Sequence, residues 1–143
     1  MYRTIVVGTD GSETADLAVD KAAALARTLG ARLHVVSAYN ERPGATVVAN
    51  TALGSAHAEH PALTIGEQIE AVELRLRLAG VDVTSTVESG DPADALIAQA
   101  VEVDADLIVV GDRGLKGIRG LLGSVPNRVA HKAPIDVLVV ATS

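Results

Sequence analysis

The chain has 143 residues, no cysteine and a formal net charge of -6, and it is 48% hydrophobic with only 1% aromatic residues. That length supports one hydrophobic core. The missing thiols exclude disulfides, thiolate metal sites and cysteine nucleophiles, and the acidic balance excludes a broad surface for nucleic acid or an anionic membrane.

With neither Phe nor Trp, the core must be assembled from Val, Leu, Ile and Ala, an inventory suited to helices packed on a Val-rich parallel sheet. Met1-Tyr2-Arg3-Thr4 leads into an apolar run ending at Val7. This run is far shorter than a signal-peptide core or a membrane span, so cytoplasmic residence is the default expectation. Ile5-Val6-Val7, bounded by Gly8 and Asp10, reads as a buried strand. Ser12 then caps a helix with Glu13 and Asp16 in its first turn, Ala15, Ala18, Ala22, Leu25, Ala26 and Leu29 at helical spacing, and Gly30 as its stop. Residues 33–38 form a second strand.

Residues 39–63 are the longest stretch without a period, which predicts a lid or mobile binding element. Ile65, Ile69, Val72, Leu76 and Ala79 mark a second helix closed by Gly80. Val81, Val83 and Val87 alternate with Asp82, Thr84 and Glu88, as in a strand near a sheet edge with one exposed face. Asp91-Pro92 supplies a cap and a proline at the first helical position, and the helix points Leu96, Ile97, Ala100 and Val101 inward. Residues 107–110 are continuously apolar, as a central strand should be. A glycine-rich loop, 111–123, a short helix, 124–132, and a last strand, 135–141, complete the chain.

Strands alternating with helices predict one α/β domain over residues 1–143: an open parallel five-stranded sheet with helices on both faces, Rossmann-like, in strand order 3-2-1-4-5. Ligands of such sheets bind beyond the carboxyl ends of the strands, where the winding reverses. Two turns would meet there, Gly8-Thr9-Asp10-Gly11-Ser12 and the loop from Gly111-Asp112-Arg113-Gly114 to Gly123-Ser124. Glycines let backbone N–H groups converge on a phosphate, and a helix opening at Gly123-Ser124 would add its own N–H groups and partial positive charge. Arg113, Lys116 and Arg119 make this loop basic within an acidic chain. Asp10 could accept hydrogen bonds from ribose hydroxyls or help hold a divalent cation beside the phosphates, with Asp112 a weaker candidate. Turn formation or capping of the first helix is a competing role for Asp10, capping is a role of Ser124 compatible with binding, and Gly117 and Gly120 are equally well explained as plain loop residues. His57 and His60 lack a carboxylate cluster and carry no assigned site. Arg75 and Arg77 with Glu70 and Glu73 are read as a solvated helix face.

Val6 to Ser12 (V-V-G-T-D-G-S), Gly111 to Gly114 (G-D-R-G), Gly123 to Val125 (G-S-V) and Val137 to Val140 (V-L-V-V) together resemble the universal stress protein family over essentially the whole chain. The nucleotide-binding branch of that family carries G-x2-G-x9-G-[S/T], whereas eight residues separate Gly114 from Gly123 here. The resemblance implies that Asp10 and Gly111 contact ribose, that Gly114, Gly123, Ser124 and Val125 contact phosphates, that Ala38 borders adenine and that Thr9 shapes the pocket, with Arg113 in the same loop. It also implies a homodimer through the last strand, Ile135 to Val140, and an unpaired apolar edge strand is an independent reason to expect one. The leading expectation is a regulatory, stress-response protein binding ATP, with Mg2+ at Asp10. The alternatives are binding of AMP or cyclic AMP, which the G-S-V-P stretch resembles in small actinobacterial members, slow ATP hydrolysis or phosphotransfer, and an interaction module that binds no nucleotide. No partner nucleic acid or membrane is expected.

Overall fold

A β-branched run whose side chains alternate between two faces must be covered on both, and the arrangement of this chain follows from that need. The computed structural model describes residues 1–39, 61–112 and 122–142, with the backbone alone at 61–64. Along the chain come β1 (Thr4–Thr9), α1 (Glu13–Leu29), β2 (Arg32–Tyr39), α2 (Pro61–Leu78), β3 (Val83–Ser89), α3 (Pro92–Glu102), β4 (Leu107–Gly111), α4 (Ser124–Lys132) and β5 (Asp136–Val140). The strands form one five-stranded sheet, β3-β2-β1-β4-β5, with every pairing parallel. The predicted class and strand order are therefore those observed. In the centre, Val7 pairs with Val35 on one side and Val109 on the other.

The period of two divides each strand between two cores. Ile5, Val7, Leu33, Val35, Leu107 and Val109 pack under α1 and α2, where Ala18, Ala22 and Ala26 form a small-residue stripe and Ile69 and Leu76 complete the layer. Small side chains let α1 lie close to the sheet. On the opposite face Val6, Val36, Ile108 and Val110 meet Ala93, Leu96 and Ala100 of α3 and Val129 of α4. His34 is the polar member of this face. It is buried, with Nδ1 2.6 Å from Thr84 Oγ1 and Nε2 3.0 Å from Gln99 Oε1, and Gln99 Nε2 donates to Glu88 Oε1 at 2.7 Å. Since Gln99 presents its carbonyl oxygen to the ring, His34 carries a proton on Nε2 and donates it.

Helix ends follow the capping chemistry read from the sequence. Ser12 Oγ accepts from Ala15 N–H at 3.2 Å, Asp91 Oδ2 accepts from Asp94 N–H at 3.0 Å, and Gly30 ends α1 in the left-handed region at φ 67°. Three details differ from the sequence reading. Helix α2 begins at Pro61, four residues before Ile65. Val101 is 64% exposed rather than inward, because the adjacent Ala100 faces the sheet and one helical step turns the next side chain away. The exposed face expected for β3 is partly covered, since Glu88 turns toward Gln99 of α3. The edge position of β3 is as expected. Residues 40–60, most of the anticipated lid, lie outside the described residues.

Candidate functional site

In a parallel sheet all crossover helices start at the carboxyl ends of the strands, so helix N-termini and strand-end turns gather at one rim. Strand β1 lies between β2 and β4 here, and the winding direction reverses at the β1–β4 seam. The turn after β1 is held by its own side chains. Thr9 Oγ1 accepts from Gly11 N–H at 3.1 Å and Asp10 Oδ1 accepts from Ser12 N–H at 2.9 Å. Gly11 adopts φ +81°, a left-handed conformation that favours glycine, and a Cβ there would meet only the movable tip of the exposed Gln68 side chain of α2, at 3.0 Å.

The turn after β4 is organised by Asp112. Its N–H donates to Val140 O at 2.8 Å, continuing the β4–β5 ladder, and its carbonyl oxygen accepts from Gly123 N–H at 3.0 Å. Its carboxylate oxygen Oδ1 accepts from the amide of Thr142 at 3.1 Å and from the Thr142 hydroxyl at 2.7 Å. The two ends of the glycine-rich loop are thus held together although residues 113–121 lie outside the described residues.

Between these turns opens a cavity of about 170 Å³. Its apolar walls are Val36, Ala38, Leu96 and Val110, and its polar rim carries Thr9, Asp10, Ser12, Thr14, Ser124 and Thr142. Gly8 and Gly111 form part of the lining where side chains would intrude: a Cβ on Gly8 would lie 2.9 Å from Leu96 Cδ1, and one on Gly111 would lie 3.1 Å from Thr142 Cγ2.

Three helices start at this cavity, and their first turns differ. Helices α1 and α3 have their N–H groups met by Ser12 and Asp91, whereas α4 begins at Gly123 with no side-chain cap. Ser124 is therefore the first helical residue of α4 and not its cap, which corrects the capping role considered for it. Pro126 has no N–H, and that of Gly123 is spent on Asp112. The amides of Ser124 and Val125, which have no acceptor inside the helix, remain to face the cavity, beside the Ser124 hydroxyl. Behind them Arg128 ties α4 to the start of α3, with Nη1 2.7 Å from Asp91 Oδ1 and Nη2 3.3 Å from Asp94 Oδ1.

Of the residues singled out in the sequence, the structure brings Thr9, Asp10, Ala38, Gly111, Ser124 and Val125 onto this one cavity, while Gly123 stands next to it as the N-cap residue of α4. Arg113 and Gly114 lie outside the described residues, as do Lys116, Gly117, Arg119, Gly120, His57 and His60. Sequence reasoning placed Ser12 in the first turn and Pro126 in the G-S-V-P stretch without giving either a contact in the cavity, and it missed Thr14, Pro92 and Leu96, which look like capping or core residues, and Thr142, for which no local signal exists. Among the described residues no group of three or more His, Asp or Glu gathers as a metal cluster. No helix of the described residues is long and apolar enough to cross a membrane.

The model of the universal stress protein family matches residues 1–141. A universal stress protein of Mycobacterium tuberculosis is 40% identical over 144 aligned residues, covering 99% of this chain and 98% of its own length. A universal stress protein of Thermus aquaticus is 37% identical, with 98% and 99% covered. Among solved structures, a universal stress protein in complex with cAMP is 39% identical with a TM-score of 0.74, covering 99% of this chain and 98% of its own. The universal stress protein from Archaeoglobus fulgidus in complex with dAMP is 28% identical with a TM-score of 0.69, covering 96% and 97%.

Proposed function

From the premise that the chain belongs to the universal stress protein family, we propose that its rim cavity binds an adenine nucleotide and that the protein acts as a nucleotide-responsive regulator in stress physiology. The observation that carries this reading is the pairing, in one cavity, of an apolar slot with the uncapped start of α4. The base lies between Val36, Ala38 and Leu96, where burial of a flat apolar surface is favourable. The ribose hydroxyls reach Asp10 and the Gly111 turn. The phosphate meets the amides of Ser124 and Val125, the Ser124 hydroxyl and the positive end of the helix dipole that opens at Gly123, and Gly114 and Arg113, which lie outside the described residues, are proposed as further phosphate contacts. Thr9 keeps the turn that presents Asp10.

ATP with Mg2+ is the first nucleotide to consider. Asp10 Oδ1 is engaged by Ser12 N–H, so a cation would use Oδ2 and draw its other ligands from phosphate oxygens and water, as Mg2+ commonly does. The cation would neutralise phosphate charge beside Asp10. Cyclic AMP is the second reading, favoured by the neighbour that binds it at 39% identity. We expect binding to exceed turnover in either case, because no arginine lines the described cavity to act on a transferring phosphoryl group.

Isothermal titration of the purified protein with ATP–Mg2+ and, separately, cyclic AMP tests the reading. Saturable binding of either supports it and ranks the two ligands. No heat with either at millimolar concentration, together with no nucleotide in the mass spectrum of gently purified protein, overturns it.

A further inference from the structure

The residues after β5 re-enter the molecule instead of leaving it. Thr142 is only 5% exposed, lines the rim cavity, and sets its methyl group against the backbone of Gly111. Its amide and hydroxyl both end on one oxygen of Asp112, at 3.1 Å and 2.7 Å. The same Asp112 accepts Gly123 N–H through its carbonyl oxygen at 3.0 Å and donates its own N–H to Val140 O at 2.8 Å. One residue therefore joins the end of β4, the exit of the glycine-rich loop and the segment that follows β5. Two donors on a carboxylate oxygen are charge-assisted bonds, which hold geometry more firmly than neutral ones.

We infer that Thr142 is the positioning residue of this loop: by fixing Asp112 it sets the distance between the Gly111 turn and the Gly123–Ser124 start of α4, and with it the affinity for a phosphate. The inference rests on the nucleotide reading of the cavity. Thr142 does not need to touch the ligand. Its methyl fills the space that the absent Cβ of Gly111 leaves, and its hydroxyl orients the carboxylate. Without the hydroxyl, Asp112 loses the shorter of these two bonds and keeps the Thr142 amide, so its carboxylate is held less firmly. The carbonyl on the same residue then holds Gly123 less rigidly, and the Ser124 and Val125 amides lose their fixed aim. The same chain of contacts couples the cavity to the sheet edge, because Thr142 stands two residues beyond Val140 of β5.

The test uses Thr142→Val, which keeps the methyl group and nearly the volume but replaces the hydroxyl with a second methyl, beside Thr142→Ser, which restores the hydroxyl. Amide hydrogen exchange at Gly123 is read on the unliganded full chain, and affinities for cyclic AMP and for adenosine are read by competition. The expected result is faster Gly123 exchange and roughly tenfold weaker cyclic AMP binding in Thr142→Val, adenosine affinity within about twofold of the original, and recovery in Thr142→Ser. Unchanged Gly123 exchange and cyclic AMP affinity overturn the inference while leaving the nucleotide reading intact. Equal losses for cyclic AMP and adenosine also overturn it, since general damage to the fold would explain them. If the unmodified chain binds neither cyclic AMP nor ATP–Mg2+, the nucleotide reading falls, and the ligand role of Thr142 falls with it.

Discussion

Ser124 could serve its own helix or a bound anion, and its position separates the two roles. A capping serine sits one residue before the first helical turn and accepts an N–H from within it, but that place is taken here by Gly123. Replacing Ser124 with Ala should therefore leave the melting temperature nearly unchanged while weakening nucleotide binding about three- to tenfold, the usual worth of one hydrogen bond. A fall in stability with unchanged affinity would return Ser124 to a purely structural role. At the opposite rim Tyr2 donates its phenol to Asp136 Oδ2 at 2.9 Å. That hydrogen bond, then desolvation, then the charges of Asp136 and Asp106 raise its pKa above the ordinary value of 10.0. A raised folded-state pKa means that the contribution to stability is complete below the unfolded value and disappears as pH climbs through the folded one. The protein should therefore lose stability in the alkaline range above pH 10.0 in a Tyr2-dependent way, and Tyr2→Phe should flatten that part of a stability-against-pH curve measured by chemical denaturation.

At the scale of elements, the signals that could be read from the chain are those whose cause is local. The β-branched runs became β1 and β4 because apolar residues without a polar alternation need cover on both faces. Ser12 and Asp91 became caps because a side-chain oxygen three residues ahead of an amide needs no distant partner. Asp10, Gly111 and Ser124 could be placed on one rim because parallel crossovers bring successive strand ends to the same side. Leu96 as a cavity wall and Thr142 as a support for Asp112 were not legible, since both depend on contacts between segments distant in sequence. The polar set around His34 was also hidden: a histidine within an apolar run gives no hint that Gln99 and Thr84 will meet its two nitrogens. Gln99→Leu would leave His34 Nε2–H buried without an acceptor and release Glu88, so the expected cost is about 1–3 kcal/mol by denaturant titration. A loss below about 0.5 kcal/mol, the range of an ordinary surface change, would show that water replaces the amide.

For the whole molecule, the sheet has two edges of unequal character. Strand β3 carries hydroxyls and carboxylates, while β5 presents Leu138 at 42% exposure on an edge that no further strand of the described residues pairs. We propose that β5, from Ile135 to Val140, pairs with its counterpart in a second copy, because an exposed apolar edge invites another strand. A lysine in place of Leu138 should shift the sedimentation coefficient from that of a dimer to that of a monomer, and a monomeric unmodified chain would dismiss the pairing. The aliphatic core has a practical consequence for finding the ligand. With no tryptophan and only Tyr2 and Tyr39 to absorb near-ultraviolet light, the polypeptide is almost transparent where adenine absorbs strongly. A preparation that retained its nucleotide would reveal it in an ordinary absorption spectrum, before any assay is run.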